Sequence, residues 1–378
     1  MGTLRCLLAL LVVYFHAGGR TVLGVTTPDG WFAVQMFFMI SGFYMALVLN
    51  EKYTSAADNW TFYSNRILRL WPPAVIVNLL VIVSFLLYGE VLLFNLTMGL
   101  GEFVALLQSL DRLTLAYLGF INLFIIGMDS IWFVGITAEG GLGYLRRGDY
   151  AFAASSLVLN HPLWTIAVEA VFYLVSPFLL RRGPWVAAGL VVLAGLWHLG
   201  LAVGPVYYRF WSYHFFPGAG YFFFLGAFMY QGFRHYRSSA FRAALERRPR
   251  LLIAALIGFS LPAHVLIWNL LPAASLFNAL ILAPVIPILF GLTERNRTDR
   301  FIGELSYGTY LVHYPIMVFF LGSYSPPVVF LIVGSLSLLA AVGLYFTVEG
   351  PIDRWRQRRA RLQTVGAPPP YAGNARAG

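Results

Sequence analysis

The chain has 378 residues, of which 59% are hydrophobic and only 11% are charged. An average soluble domain carries roughly 25% charged residues, so this composition excludes a disordered chain, a coiled coil and an ordinary soluble enzyme. The net charge of +10 comes from arginines in short clusters between apolar runs, which is typical of cytoplasmic loops and argues against a nucleic-acid partner.

Apolar runs long enough to cross a bilayer follow one another along the chain. A crossing needs about 20 apolar residues, and the sequence predicts ten of them, at 4–22, 31–50, 71–88, 162–180, 184–203, 212–232, 251–270, 273–292, 302–322 and 326–347. With the N-terminus inside, 21 of the 26 Lys and Arg residues lie on the inner side. The predicted fold class is therefore all-α: a polytopic membrane helix bundle of about ten transmembrane helices, with both termini cytoplasmic.

Residues 89–161 are too irregular for a simple crossing, because glycine, aspartate and asparagine interrupt their apolar stretches. We expect a long outer segment that enters the membrane and returns, since broken backbone is tolerated there only where protein or a cavity surrounds it. Two extra crossings would also preserve the topology. Residues 1–350 are expected to form the transmembrane domain, and 351–378 a cytoplasmic basic tail whose end, from Thr364, is disordered.

The first predicted span carries two polar side chains on one face. Arg5 and His16 are eleven residues apart, which places them within about 20° of each other around the helix and roughly 16 Å apart along it. A cation at the cytoplasmic end suits a phosphate, and a histidine near the midplane suits a general base. The alternative is a snorkelling arginine and a histidine that bonds to a neighbouring helix.

The next polar features lie in the second span and in the loop before the third. The small pair Ser41 and Gly42 would let another helix backbone come close. Arg66 and Arg69 are spaced i,i+3, so that in a helical turn they share a face and, with Arg5, predict an anion site. Ordinary positive-inside charge is the alternative for the arginines. Prolines 72 and 73 suit the first turn of the helix that begins at residue 71.

Glu169 lies at a similar predicted depth to His16, about 12 Å below the outer surface. A carboxylate and an imidazole at one depth predict a base and its orienting partner. A structural carboxylate bonded to tyrosine or tryptophan is the alternative. Further along, His313 is either a helix-packing group or a participant, and Glu349 is expected to pair with an arginine. Cys6 is the only cysteine, which excludes a disulfide within the chain, and no metal-binding motif is present.

Six segments, in this order, resemble the acyltransferase-3 family of integral membrane acyltransferases. The first three are Arg-x10-His (Arg5, His16), Phe-x-x-Ser-Gly-Phe (Ser41) and Arg-x-x-Arg before the prolines (Arg66, Arg69). The others are Trp-x4-Glu-x3-Tyr-x3-Pro (Glu169, Tyr173), Ser-Tyr-x2-Tyr-Leu-x-His-x-Pro (Ser306, Tyr307, His313) and Val-Glu-x-Pro (Glu349). They span residues 5 to 351, and their order is more specific than any one of them. Cys6 and Thr165-Ile166 depart from the commoner residues, at uncharged positions.

The resemblance implies transfer of an acetyl or other short acyl group from cytoplasmic acyl-CoA to a hydroxyl, commonly of a sugar. No cofactor would be bound permanently, and acyl-CoA would be the donor co-substrate. His16 and Glu169 would be catalytic, and Arg5, Arg66 and Arg69 would hold the CoA phosphates. On the outer side, Trp132, Tyr144 and Trp164 are candidates for stacking on sugar rings, or for an aromatic belt.

A proton-coupled transporter or flippase of a glycan or lipid-linked substrate is the alternative function. In that case His16 and Glu169 would relay protons, as ionisable residues inside membranes often do. The arginine cluster at one end and the lack of an internal repeat disfavour it. We expect a multi-pass protein of the bacterial plasma membrane, with acyl-CoA, a sugar-containing acceptor and the bilayer as its partners.

Overall fold

The structure is a computed structural model that describes residues 1–22, 25–93, 96–145, 148, 150–237 and 274–365. Its α-helices within these ranges are α1 Gly2–His16, α2 Gly30–Glu51, α3 Asn59–Tyr88, α4 Leu100–Ser109, α5 Arg112–Phe124, α6 Trp164–Leu179, α7 Pro184–Ala202, α8 Val206–His214, α9 Phe216–Arg237, α10 Ala274–Leu282, α11 Val285–Thr293, α12 Arg297–Met317, α13 Pro326–Leu344 and α14 Gly350–Val365. The 3-10 helices are Ala56–Asp58, Met128–Trp132, Ala154–Leu157 and His161–Leu163, and Tyr345–Glu349 is a π-helix. The predicted span 251–270 and most of the predicted disordered end lie outside the described residues.

Six helices in the described ranges are long and apolar enough to cross a membrane. They are Gly30–Glu51, Ala56–Tyr88, His161–Leu179, Pro184–Ala202, Ser275–Thr293 and Pro326–Arg359. Each corresponds to one of the ten predicted spans, and together they confirm a helical multi-pass membrane protein. The predicted spans 4–22, 212–232 and 302–322 correspond to α1, which is only 15 residues long, and to α9 and α12, which are less apolar than the six helices above.

Residues 89–161 form short elements between α3 and α6. Strands β3 Glu90–Leu93 and β4 Leu96–Gly99 pair as an antiparallel hairpin, and β5 Val134–Ile136 lies between β6 Leu142–Tyr144 and β7 Phe152–Ala153. A further hairpin, β1 Thr21–Val22 with β2 Val25–Thr26, follows α1. Helices α4 and α5 are about 15 and 20 Å long, shorter than a ~30 Å hydrocarbon core. The described part of this segment is therefore irregular as expected, but the all-α prediction missed its small sheets.

The first helix is shorter than predicted and places His16 differently. It ends at His16, and the chain turns through Gly18, whose φ is +87°. Glycine adopts this left-handed conformation without a steric penalty, which makes it a common helix terminator. His16 therefore lies in the last turn of α1 and not in the middle of a span over residues 4–22.

The third helix continues through its two prolines, contrary to the prediction of a loop before residue 71. It begins at Asn59, and Pro72 and Pro73 lie in its interior. Interior prolines deprive the carbonyls four residues earlier of their donors. Neighbouring elements bond to the helix beside the prolines: the Tyr307 hydroxyl donates to the Leu70 carbonyl at 2.6 Å, and the Trp71 indole donates to the Leu123 carbonyl at 2.9 Å. Arg66 and Arg69 consequently lie on one turn of a continuous helix.

Helices α2 and α9 cross at glycines on both sides. A Cβ on Gly42 would lie 1.9 Å from the Phe223 carbonyl oxygen, and one on Gly226 would lie 1.9 Å from the Met39 carbonyl oxygen. Only glycine permits such an approach. The predicted role of Gly42 in close helix packing is confirmed, and this crossing fixes the backbone beside Ser41.

The start of α1 is capped from another helix. Asp299, in the first turn of α12, accepts hydrogen bonds from the backbone N–H groups of Gly2 and Thr3, each at 2.8 Å. Burial alone would raise the pKa of the Asp299 carboxyl, but the bonds from Thr3 and Gly2 hold it well below its usual range. The ionised carboxylate therefore satisfies helix-end donors that would otherwise be unpaired, and it fixes Arg5 relative to α12.

Candidate active site

A cavity of about 620 Å³ lies between helices α1, α2, α3, α6, α11 and α12 and reaches the last residue of α9. Arginines line one end: Arg5, Arg66, Arg69, Arg237, Arg295 and Arg300. The last three are exposed, whereas Tyr307 and Tyr310 at the other end are buried, so the cavity opens at its arginine-rich end. Along α12 it extends from Asp299 to Tyr310, which is about 16 Å at 1.5 Å per residue.

Most of the predicted site residues lie on this one cavity. Its lining includes Arg5, Ser41, Arg66, Arg69, Glu169, Tyr173, Ser306 and Tyr307. His16, His313 and Glu349 are not among the lining residues. Eight of the residues predicted to form a site therefore line one cavity, whereas the two histidines and Glu349 lie outside its lining.

The arginines at the open end differ in how their charges are compensated. Arg69 pairs with Glu304 at 3.2 Å. The Arg66 guanidinium lies 5.9 Å from the Tyr173 ring centroid, and its buried Nε has no hydrogen-bond partner. In the described part of the chain neither Arg66 nor Arg5 has a carboxylate within salt-bridge distance. Guanidinium groups without a counter-ion can bind phosphate oxygens.

Glu169 holds two hydroxyl groups in the inner part of the cavity. The Ser41 hydroxyl and the Tyr173 hydroxyl both donate to Glu169 Oε1, the latter at 2.5 Å. Tyr173 follows Glu169 by one helical turn on α6, and α2 brings Ser41 from the other side. A carboxylate that accepts two hydrogen bonds is strongly oriented, so this group forms a fixed polar centre inside the bundle.

The two histidines form a pair of their own beyond the cavity. His16 Nδ1 and His313 Nε2 are 3.0 Å apart, and the rings lie at 12° to each other. His313 is fully buried, and its Nδ1 is 2.7 Å from the Tyr310 carbonyl oxygen. The predicted pairing of His16 with Glu169 is therefore wrong: the hydrogen-bond partner of His16 is His313, while Glu169 bonds to Ser41 and Tyr173.

Tyr310 lies between the cavity and the histidine pair. Its ring is part of the cavity lining and is 5.6 Å from the ring of His313, which lies one helical turn further along α12. Its hydroxyl is bonded to the Thr165 hydroxyl at 2.9 Å and donates to the Pro162 carbonyl at 3.1 Å. Tyr310 therefore closes the inner end of the cavity, a role that sequence reasoning missed.

The helix around His313 is fixed by a second residue that sequence reasoning missed. Pro315 has no N–H to donate to the carbonyl of Leu311. The amide of Asn160 donates to that carbonyl at 2.8 Å, and Asn160 is fully buried. Proline four residues after Leu311 was the available sequence signal, because a freed carbonyl in a helix requires a donor from elsewhere.

Three other predicted site residues either bond to backbone carbonyls or lie outside the main cavity. Ser306 donates to the Gly303 carbonyl and Tyr307 to the Leu70 carbonyl, each at 2.6 Å, although both also line the cavity. Glu349 lines a second cavity, of about 340 Å³, on the other side of Arg69. No arginine in the described residues lies within salt-bridge distance of Glu349, so its predicted ion pair is wrong.

Aromatic and imidazole rings lie on the side of the histidine pair away from the cavity. The Tyr314 ring is 5.5 Å from His16 and 5.8 Å from His161. The Trp132 ring is 4.7 Å from His161 and 4.3 Å from His214. One candidate for sugar stacking, Trp132, therefore packs against histidines from two other elements, which connects the irregular outer segment to His16.

Comparisons with known proteins identify the family. A family model described as an acyltransferase domain matches residues 2–346. Nodulation protein 10 of Rhizobium leguminosarum bv. viciae is 28% identical over 333 residues, which cover 83% of this chain and 81% of that protein. No solved structure shows significant similarity to the chain. Since the family match covers nearly the whole chain and the structure is a helical multi-pass bundle, the protein belongs to the acyltransferase-3 family and is a membrane acyltransferase.

Proposed function

We propose that the protein transfers an acetyl or other short acyl group from cytoplasmic acyl-CoA to a hydroxyl group of a sugar-containing acceptor. The observation that carries this proposal is the cavity itself. At its open end it has guanidinium groups with no carboxylate partner among the described residues. Further in lies a carboxylate with two bound hydroxyls, and a histidine pair lies one helical turn beyond the closed end. Its elongated shape suits a donor with phosphates at one end and a thioester at the other.

Arg5, Arg66 and Arg69 would bind the phosphates of CoA at the mouth. Arginine matches phosphate oxygens with two parallel hydrogen bonds. The pantetheine arm would lie along α12 over the ~16 Å between Asp299 and Tyr310, which brings the thioester carbonyl to the inner end. The acceptor would arrive from the opposite side, along the ring cluster around Trp132.

His16 would act as the general base. It takes the proton of the acceptor hydroxyl as that oxygen attacks the thioester carbonyl, and the CoA thiolate leaves and is protonated. General-base catalysis of this kind contributes typically about 10²–10⁴-fold. The Tyr310 side chain has to move for this step, since it separates the cavity from the histidine pair. Glu169, Ser41 and Tyr173 would hold the acyl end of the donor.

We further propose that the protein lies in a bacterial plasma membrane with both termini in the cytoplasm. The charge distribution supports this orientation, because 21 of 26 basic residues fall on one side of the predicted spans. The arginine-lined mouth would then face the compartment that contains acyl-CoA.

Purified protein in detergent tests the proposal without any membrane gradient. Release of free CoA thiol from acetyl-CoA is followed in the presence of a panel of glycosides, and acylated products are identified by mass spectrometry. We expect acceptor-dependent thiol release, and a loss of kcat of about 10²–10⁴-fold in His16→Ala. His235→Ala, at an exposed histidine of α9, is the matched control. Equal rates in wild type and His16→Ala would overturn the mechanism, and movement of glycans without acyl transfer would favour a flippase.

A further inference from the structure

We infer that His313 fixes the tautomer of His16, so that His16 carries its proton on Nδ1 and has a bare, basic Nε2. The tautomer follows from the geometry alone, whereas its role in catalysis rests on the proposed function. It makes His313 a positioning residue that acts through His16, and it fixes which nitrogen donates and which accepts in the hydrogen bond between the two histidines.

A main-chain carbonyl sets the donor and acceptor order of this hydrogen bond. The Tyr310 carbonyl oxygen lies 2.7 Å from His313 Nδ1, and a carbonyl oxygen can only accept. His313 must therefore carry its proton on Nδ1. A neutral imidazole has only one N–H, so that His313 Nε2 is left with a lone pair and no proton.

The tautomer of His16 follows from that of His313. The lone pair on His313 Nε2 is 3.0 Å from His16 Nδ1, and only an N–H at that position completes a hydrogen bond. His16 then holds its single proton on Nδ1, and its Nε2 is free to accept a proton from a hydroxyl. The opposite arrangement would place two lone pairs against each other.

A charged His313 would reverse this order, but its surroundings disfavour the charge. Its side chain is fully buried, and the hydrogen-bond partners shown for it are backbone carbonyls, those of Tyr310 and Thr309, and the ring of His16; none of them is a carboxylate. An imidazolium without a counter-ion is costly to bury. The neutral form, which donates to the carbonyl, is the one that these surroundings stabilise.

The Tyr310 carbonyl belongs to a stretch of α12 that is fixed by hydrogen bonds to two other parts of the chain. The Tyr310 hydroxyl is bonded to Thr165, and the next carbonyl, that of Leu311, accepts from Asn160. Pro315 prevents Leu311 from making an ordinary helical bond. The helix therefore cannot rotate His313 without breaking buried contacts to α6 and to the outer segment.

Two substitutions at one position separate positioning from packing. In His313→Gln the amide oxygen can occupy the place of Nε2 and accept from His16, whereas His313→Leu has no acceptor. We expect His313→Leu to lower kcat by about 10–100-fold with an unchanged KM for acetyl-CoA, as loss of an orienting partner does, and His313→Gln to restore most of the loss. Equal losses in both variants would indicate packing alone and would overturn the inference.

Nitrogen-15 NMR of histidine-labelled protein in lipid reads the tautomer directly. The His16 signals are assigned by their disappearance in His16→Ala. We expect a protonated Nδ1 and a bare Nε2 in wild type, and loss of that preference in His313→Leu. A protonated Nε2 on His16 in wild type would overturn the inference whatever the activity. If the expected tautomer occurs in a protein that transfers no acyl group, the proposed function is wrong but the tautomer assignment of the two histidines is correct.

Discussion

The crossing of α2 and α9 leads to a prediction that needs no knowledge of the substrates. A Cβ on Gly226 would lie 1.9 Å from the Met39 carbonyl oxygen, while ordinary contact begins at 3.4 Å. Gly226→Ala therefore requires the two backbones to separate by about 1.5 Å, the difference between these distances, or to distort. Overpacking of this kind typically costs about 1–3 kcal/mol, so the free energy of unfolding should fall.

Gly232→Ala is the matched control in the same helix. Nothing lies within 4 Å of its added Cβ, so the gain in helix propensity of about 0.5–1 kcal/mol acts alone. The assay is thermal unfolding of purified protein in detergent, followed by tryptophan fluorescence. We expect Tm to fall for Gly226→Ala and to hold or rise for Gly232→Ala. If Gly226→Ala unfolds at or above the wild-type temperature, the backbones are not in contact there and the close crossing is wrong.

Two other predictions concern charge. Arg69→Gln should raise KM for acetyl-CoA by roughly 10- to 150-fold, because a hydrogen bond to a charged group is worth about 1.5–3 kcal/mol. Glu304→Gln should lower KM, because it frees Arg69 from its 3.2 Å ion pair. An unchanged KM in both variants would refute the proposed phosphate site. Burial raises the pKa of Asp129, in the outer segment, to about 6, above its unfolded value of about 3.9. The contribution of Asp129 to the free energy of unfolding is therefore greatest below pH 4 and falls by about 3 kcal/mol as the pH rises from 4 through 6. Asp129→Asn should therefore raise Tm relative to wild type at pH 8 and not at pH 4, and an equal difference at both pH values would contradict this.

The sequence predicted the cavity because its polar residues interrupt apolar spans. An ionisable or hydroxyl side chain in such a span is costly unless it faces protein or water, and Ser41 and Glu169, from two predicted spans, line one space together with Arg66 and Arg69. The i,i+3 spacing of Arg66 and Arg69 predicted a common face, and both line the cavity. Local periodicity is sufficient for inferences of this kind.

The hydrogen-bond partner of His16 could not be predicted from the sequence in this way. His313 is 297 residues away along the chain, and the contact depends on how α1 and α12 are placed against each other. The end of α1 was also misplaced, because the apolar run continues to residue 22 whereas the helix ends at His16, just before Gly18. Periodicity along one helix gives no information on which residues of two distant helices meet.

The closure of the cavity by Tyr310 has a consequence for the cell as well as for the reaction. If the donor and the acceptor approach from opposite faces, as proposed above, an open path between them would also conduct ions and water. The Tyr310 ring, packed 6.2 Å from that of Phe37 and tethered through its hydroxyl to Thr165, leaves a blind recess in place of a conduit. In the proposed membrane, this closure would prevent an electrochemical gradient from leaking through the protein when no donor is bound.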